Sequence, residues 1–203
     1  MVLRRYRTPV RPVRHLSKIA LLACSVVLAS CTAIPVQHFD GATPGFDPIV
    51  YFDGPTHSWG VIETRDGAPK TRFRANLSGR REGETLVLTQ DFIFDDGHRQ
   101  QRIWHLRRID AHRLDATASD VIGVAAGYAY GNAFRWDYTL QLKPGKPLSR
   151  VQMHHWMYLA GDGITLLNQV TIRKFGLRVG GATEYFQRGN AVMPGVGASA
   201  AHL

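Results

Sequence analysis

Cysteine is scarce in this chain, with two residues in 203, Cys24 and Cys31. Acidic residues are missing altogether before Asp40. No apolar run approaches the roughly 18–20 residues of a spanning helix; the longest, Ile19 to Leu28, is about ten. Helical periodicity is rare. No G-x-S-x-G elbow and no H-x-x-x-H spacing occurs. These shortages argue against a disulfide scaffold, a membrane-spanning helix, a helical bundle, a serine-hydrolase elbow and a helical zinc site.

The amino-terminal stretch is organised around the second cysteine. Arg4, Arg5, Arg7, Arg11, Arg14 and Lys18 precede the short apolar run, and Ala29 and Ser30 lead into Cys31. A basic region, a short apolar core and small residues make a secretory signal. Leu28-Ala29-Ser30-Cys31 resembles the lipobox of bacterial lipoproteins, in which the cysteine is lipidated and becomes the new amino terminus. Two or three acyl chains give lasting attachment where one gives marginal binding. The bland alternative is an ordinary signal with an incidental cysteine. A competing box, Leu21-Leu22-Ala23-Cys24, has a very short apolar core and a bulky Leu22 beside the cut. The double arginine lacks the rest of a twin-arginine motif.

Cleavage before Cys31 changes the charge. Six of the 25 Lys and Arg lie in residues 1–30 and none of the 16 acidic residues does, leaving 19 basic against 16 acidic, a balance of +3. The formal +9 of the whole chain is therefore no argument for nucleic acid. Thr32, rather than Asp, follows the cysteine, and by resemblance this favours the periplasmic face of the outer membrane over inner-membrane retention. The expected organisation is a signal peptide over 1–30, a lipidated terminus and tether over 31–45, one domain over 46–189 and a flexible tail over 190–203. Roughly 145 residues suffice for one self-sufficient core.

The period inside that domain is two. In AFRWDYTLQL (133–142), Phe134, Trp136, Tyr138, Leu140 and Leu142 fall on one face, and Ala133, Arg135, Asp137, Thr139 and Gln141 on the other. Comparable runs occur near 58–64, 70–78, 84–94, 99–109, 112–118, 121–130, 148–159, 164–174 and 182–187. Turn signals such as Asp66-Gly67, Asp95-Asp96-Gly97, Gly131-Asn132 and Pro144-Gly145 separate them. About eight to ten antiparallel strands predict an all-β, up-and-down barrel. Glycines in VIGVAAGYAYG (121–131) suit bulges or sharp bends at its corners.

Alternation also exposes polar residues on apolar faces. Gln90 accompanies Leu86, Leu88, Phe92 and Phe94. Arg102 accompanies Trp104 and Leu106. His155 accompanies Val151, Met153, Met157 and Leu159, and Asn168 lies among Ile164, Leu166, Val170 and Ile172, with Lys174 on the same face. Left unpaired in a core, each costs on the order of 1–3 kcal/mol. Either they satisfy one another, or they orient a ligand in a barrel pocket walled by Trp104, Trp136 and Tyr138. His154 and His155 point to opposite faces and cannot share a metal ion without a bulge. No metal or cofactor is expected.

FDGPTHSWG (52–60), DFIFDDG (91–97) with QQRIW (100–104), SDVIGVAAG (119–127), GNAFRWDY (131–138), WMYL (156–159) and KFGLRVG (174–180) together resemble a bacterial lipoprotein family defined only as a domain of unknown function. The likeness runs from about Tyr51 to Gln187. It implies a lipocalin-like barrel, and the fatty-acid modification genes beside some members imply an acyl ligand such as palmitate. Members often have acidic residues where this chain has His154-His155, and Asn-Arg where it has Asn168-Gln169, which implies a different charge preference. Three expectations follow: a lipid-anchored module binding a lipid, fatty acid or other apolar molecule; an enzyme on acyl chains with His155 or His154 as base; or an envelope structural protein with a dry core.

Overall fold

The computed structural model describes residues 34–189; the expected signal segment, Cys31 and the tail from 190 onward lie outside the described residues. Alternating runs became strands because every second side chain found the same interior. In chain order these are β1 (Gly54–Glu63), β2 (Pro69–Glu82), β3 (Thr85–Phe94), β4 (Arg99–Arg108), β5 (Arg113–Thr117), β6 (Val121–Tyr130), β7 (Ala133–Gln141), β8 (Arg150–Leu159), β9 (Thr165–Lys174) and β10 (Leu177–Arg188). Each strand pairs antiparallel with its sequence neighbours, and β10 returns to β1, closing a ten-stranded meander barrel. Closure leaves no sheet edge.

Two ends of strands differ from the expected runs. β7 stops at Gln141, and Leu142, assigned to its inner face, is exposed in the loop that follows. Ile164, expected with Leu166 on the inner face, is likewise exposed, in the turn before β9. Once pairing stops, alternation no longer fixes a side. The bulge expected in 121–131 lies between Ile122 and Ala126, where Gly123 has a φ of +73° that a residue with Cβ seldom adopts.

One end of the barrel is plugged. A single helical turn, α1 (Pro48–Tyr51), is started by Asp47, whose carboxylate accepts hydrogen bonds from Ile49 N at 3.0 Å and Val50 N at 3.4 Å, with Pro48 in the first turn. Phe46, Ile49, Tyr51 and Phe52 are buried in the core. Tyr51 donates its hydroxyl to the Ile164 carbonyl at 2.7 Å, and Phe52 meets Phe186 edge-on. Arg108–Asp47 (2.6 Å) and Arg81–Asp53 (2.9 Å) tie the plug to the wall from outside.

The segment expected as a tether does not hang free over its described part. Val36 is buried in a short 3₁₀ turn (Val36–Phe39), and the Phe39 ring packs on Trp156 and Tyr158. The apolar side chains of VQHF found wall to cover. Among the described residues every strand and every residue of the clustered core lies within 46–188, and the sheet's hydrogen-bond circuit closes within 54–188. At the opposite end, formed by the β1–β2, β3–β4, β5–β6, β7–β8 and β9–β10 connections, the described residues form no such plug.

Candidate functional site

The inner faces of the strands place the polar residues. Of the seven candidates, Gln90, Trp104, Trp136, Tyr138, His155 and Asn168 line one interior cavity of about 60 Å³. Arg102 lies on the same inner face, opposite Gln90 in the β3–β4 register. The structure thus brings six of the seven to one cavity and sets Arg102 beside them. Much of their polarity is spent on one another. Trp104 Nε1–H donates to Gln90 Oε1 at 2.8 Å. Arg102 donates to both oxygens of Asp120, from Nε at 3.0 Å to each and from Nη2 at 2.8 Å to one, and its guanidinium lies 5.7 Å from the Trp104 ring centre.

A second set forms a directed chain. Asn168, 1% exposed, donates Nδ2–H to Glu184 Oε2 at 3.1 Å, so its Oδ1 is the acceptor toward His155 Nδ1 at 3.2 Å. His155 therefore carries its proton on Nδ1, and its bare Nε2 accepts from the Tyr138 hydroxyl at 3.1 Å. Burial pushes His155 down to about 4, against the Asn168 hydrogen bond, so the ring is neutral at ordinary pH. Burial likewise pushes Tyr138 up to about 12.

Glu184 was absent from the expected set and is the most consequential member. It is 8% exposed and faces inward between Ala182 and Phe186 on β10. Desolvation pushes its carboxyl up to about 7, opposed by Ser58, Asn168 and, through space, Arg102. Ser58 lies close enough to act on it without completing a hydrogen bond, and Glu184 Oε1 has no partner among the described residues. Trp136 Nε1–H is also unpartnered and buried. Glu184 Oε1 and Trp136 Nε1–H thus face the cavity unpartnered, and the buried Thr56 and Ser58 hydroxyls on β1 are unpartnered as well, Ser58 beside the carboxyl. The sequence signal for Glu184 was its place in the alternation of ATEYF, where Tyr185 made the opposite face look equally apolar.

Beyond Glu184 a second cavity of about 130 Å³ opens toward the unplugged end. It is lined mainly by apolar side chains, including Phe73, Phe94, Met153 and Ile172, and it shares Phe92, His155 and Glu184 with the inner cavity. An apolar cavity of about 150 Å³ takes up a benzene ring, so the outer chamber is ring-sized. The inner one holds a small polar group or a few waters.

His154, as strand geometry requires, points the other way. Its Nδ1 lies 2.6 Å from Asp137 Oδ1 on the outer wall, where Arg135 also binds Asp137. Among the described residues, no three His, Asp or Glu side chains are grouped to hold a metal ion.

The fold and site define a class: a closed antiparallel barrel, plugged at one end, with a small cavity whose apolar outer chamber meets a buried carboxyl. The family described as "Protein of unknown function (DUF3833)" matches residues 25–188, and the chain belongs to it. No curated protein matches the chain. Among solved structures the chain is similar to EF1p2_mFAP2b bound to DFHBI, with a TM-score of 0.40 at 11% identity over 69% of this chain and 95% of that one. It is similar also to a redesigned β-barrel, mFAP1, bound to DFHBI, with a TM-score of 0.38 at 12% identity over 69% and 97%.

Proposed function

We propose that this chain is a lipid-anchored binding module of the bacterial envelope that holds the end of a small apolar molecule in its barrel. The observation that carries the binding reading is the pairing of an apolar outer chamber with unsatisfied buried groups at the adjoining inner cavity, Glu184 Oε1 and Trp136 Nε1–H. Ligand sites are mostly apolar with a few convergent polar groups, and a ligand hydroxyl would donate to the one and accept from the other. Anchorage rests on Leu28-Ala29-Ser30-Cys31 and the basic, apolar segment before it; Cys31 lies inside the span matched by the family. Thr32 in place of Asp favours the outer membrane.

The geometry revises which residues orient the ligand. Arg102 and Gln90 are committed to Asp120 and Trp104, leaving Glu184 and Trp136 to meet a polar end. A whole acyl lipid does not fit in about 130 Å³; a terminal segment or ring does. As for catalysis by His155, both ring nitrogens are engaged, at 3.2 and 3.1 Å, and a general base needs one free. A dry-core structural role is favoured by the mutual satisfaction of Gln90, Arg102, His155 and Asn168, and the test must separate it.

The barrel from Ile34 onward is titrated with phenylnaphthylamine, an uncharged fluorophore. Saturable uptake at one site per barrel, abolished by Ala182→Leu in the outer chamber, is the expected result. No uptake by a folded barrel, or uptake indifferent to Ala182→Leu, would leave the dry core standing.

A further inference from the structure

The three most exposed large apolar side chains among the described residues, Phe175 (80%), Leu148 (75%) and Leu177 (65%), lie at the unplugged end. They belong to two adjacent hairpin tips, since β8 and β9 are neighbours in the barrel: the β7–β8 loop carries Leu148, the β9–β10 turn carries Phe175, and Leu177 opens β10. Leu142 and Val179 extend the same apolar rim. Such side chains on separate tips cannot cover one another, and water gains nothing by contact with them.

Their neighbours share one sign of charge. LKPGKPLSR (142–150) and RKFGLRV (173–179) contain six Lys and Arg and no Asp or Glu. Lys143, Lys146 and Lys174 make no ion pair with a described residue, and Lys174 Nζ lies 5.6 Å from the Phe175 ring centre. The opposite lip is different: in the β1–β2 and β3–β4 hairpins Asp66, Asp95 and Asp96 stand beside Arg65, Lys70 and Arg99, so its charges cancel. Phe175 itself has a φ of +51°, a left-handed position usually given to Gly, Asn or Asp in a tight hairpin. A bulky ring held there at a local cost, and nearly fully exposed, is not explained by folding.

We infer that these two hairpins seat the mouth of the barrel on an anionic lipid bilayer, with Phe175 and Leu148 entering the interface and the lysines meeting headgroup charge. Apolar tips flanked by Lys and Arg match the two layers of such a surface, hydrocarbon beneath anions. An acidic protein would complement the lysines but would not require isolated apolar tips on separate loops. Because the opposite lip carries no excess of positive charge, the barrel docks tilted, basic side down. This surface is independent of how Cys31 is modified. It adds to the binding reading that a ligand would pass between bilayer and outer chamber without crossing water.

The barrel from Ile34 onward, which lacks residue 31, is sedimented with vesicles of phosphatidylcholine alone or mixed with phosphatidylglycerol. Binding is expected to the mixed vesicles and to weaken with salt, because each basic residue near an anionic surface adds about fivefold. Phe175→Ser with Leu148→Ser should lower it at least tenfold, and Lys143→Glu with Lys174→Glu at least as much. Leu167→Ser, on the exposed outer wall of β9, should leave it unchanged. These are exposed positions, so circular dichroism should report unaltered barrels. Binding that survives the double serine change and vanishes with salt would mean attachment to any polyanion, an acidic protein included, and would overturn insertion; no binding at all would overturn the docking surface. Uptake of phenylnaphthylamine by the rim variants and vesicle binding by Ala182→Leu keep this failure separate from failure of the cavity reading.

Discussion

Glu184 and His155 belong to one hydrogen-bonded chain and are displaced in opposite directions, Glu184 from 4.5 up to about 7 and His155 from 6.5 down to about 4. At about 1.4 kcal/mol per pH unit, each displacement is worth roughly 3 kcal/mol of folding free energy. Between pH 4.5 and 6.5 the folded barrel keeps a proton on Glu184 that the unfolded chain has lost. Taken alone, that group stabilises fully below pH 4.5 and loses the contribution as pH rises through about 7. Over the same interval the unfolded chain holds a proton on His155 that the folded barrel excludes. Taken alone, His155 makes stability rise with pH from about 4 to 6.5. The two slopes oppose each other, so the parent protein should be nearly flat across this window. Glu184→Gln should uncover the rising limb, by roughly 3 kcal/mol, since burial rather than Glu184 is the main cause of the His155 displacement. His155→Gln should uncover the falling limb by a similar amount, and the double variant should be flat again. Urea unfolding across this pH range reads each profile directly. A Glu184→Gln profile parallel to the parent's would refute a protonated, buried Glu184.

Two further changes test the frame around the site. A Cβ at Gly79 would stand 1.7 Å from the Phe52 carbonyl oxygen, so Gly79→Ala must push the plug off the β2 wall; it should cost about 3 kcal/mol in urea unfolding. Arg102→Met strands Asp120 and should cost about 3–5 kcal/mol by the same measurement, whereas adding Asp120→Leu should restore most of it.

The fold was legible because ten strands each kept a period of two for several residues, and hairpin turns with Gly bounded them. Where pairing ended, at Leu142 and Ile164, that signal ended too. The interior polar set was legible for the same reason: Gln90, His155 and Asn168 interrupt otherwise apolar faces. Their partners were not. Asp120 sits in the turn before β6, outside any alternating run, and meets Arg102 of β4 only once the strands are assembled. Glu184 has Thr183 and Tyr185 beside it, and either face of ATEYF is a plausible inside. The choice is made by pairing, with Glu184 opposite Gly60 on β1 and Asn168 on β9. Such contacts arise from register between strands and leave no trace along one of them. The anchoring of residues 36–39 on the wall was hidden similarly, since four residues carry no period.

The position of Glu184 also decides between ligand classes that share an apolar body. A fatty acid entering head-first would set its carboxylate beside Glu184 Oε1, and two carboxylates at that separation bind one proton between them. Below pH 7 Glu184 already supplies that proton. Above it, binding must draw one from solvent, so the dissociation constant of a fatty acid should rise about tenfold per pH unit. An alcohol of the same chain length donates to the carboxylate or accepts from the acid, and its affinity should scarcely change. Competition of decanoate and decanol against phenylnaphthylamine between pH 6 and 9 separates the two, with Glu184→Gln expected to remove the decanoate slope. Decanoate affinity that stays level to pH 9 in the parent protein would show that its head group lies elsewhere, near Arg102, and that Glu184 does not select the ligand.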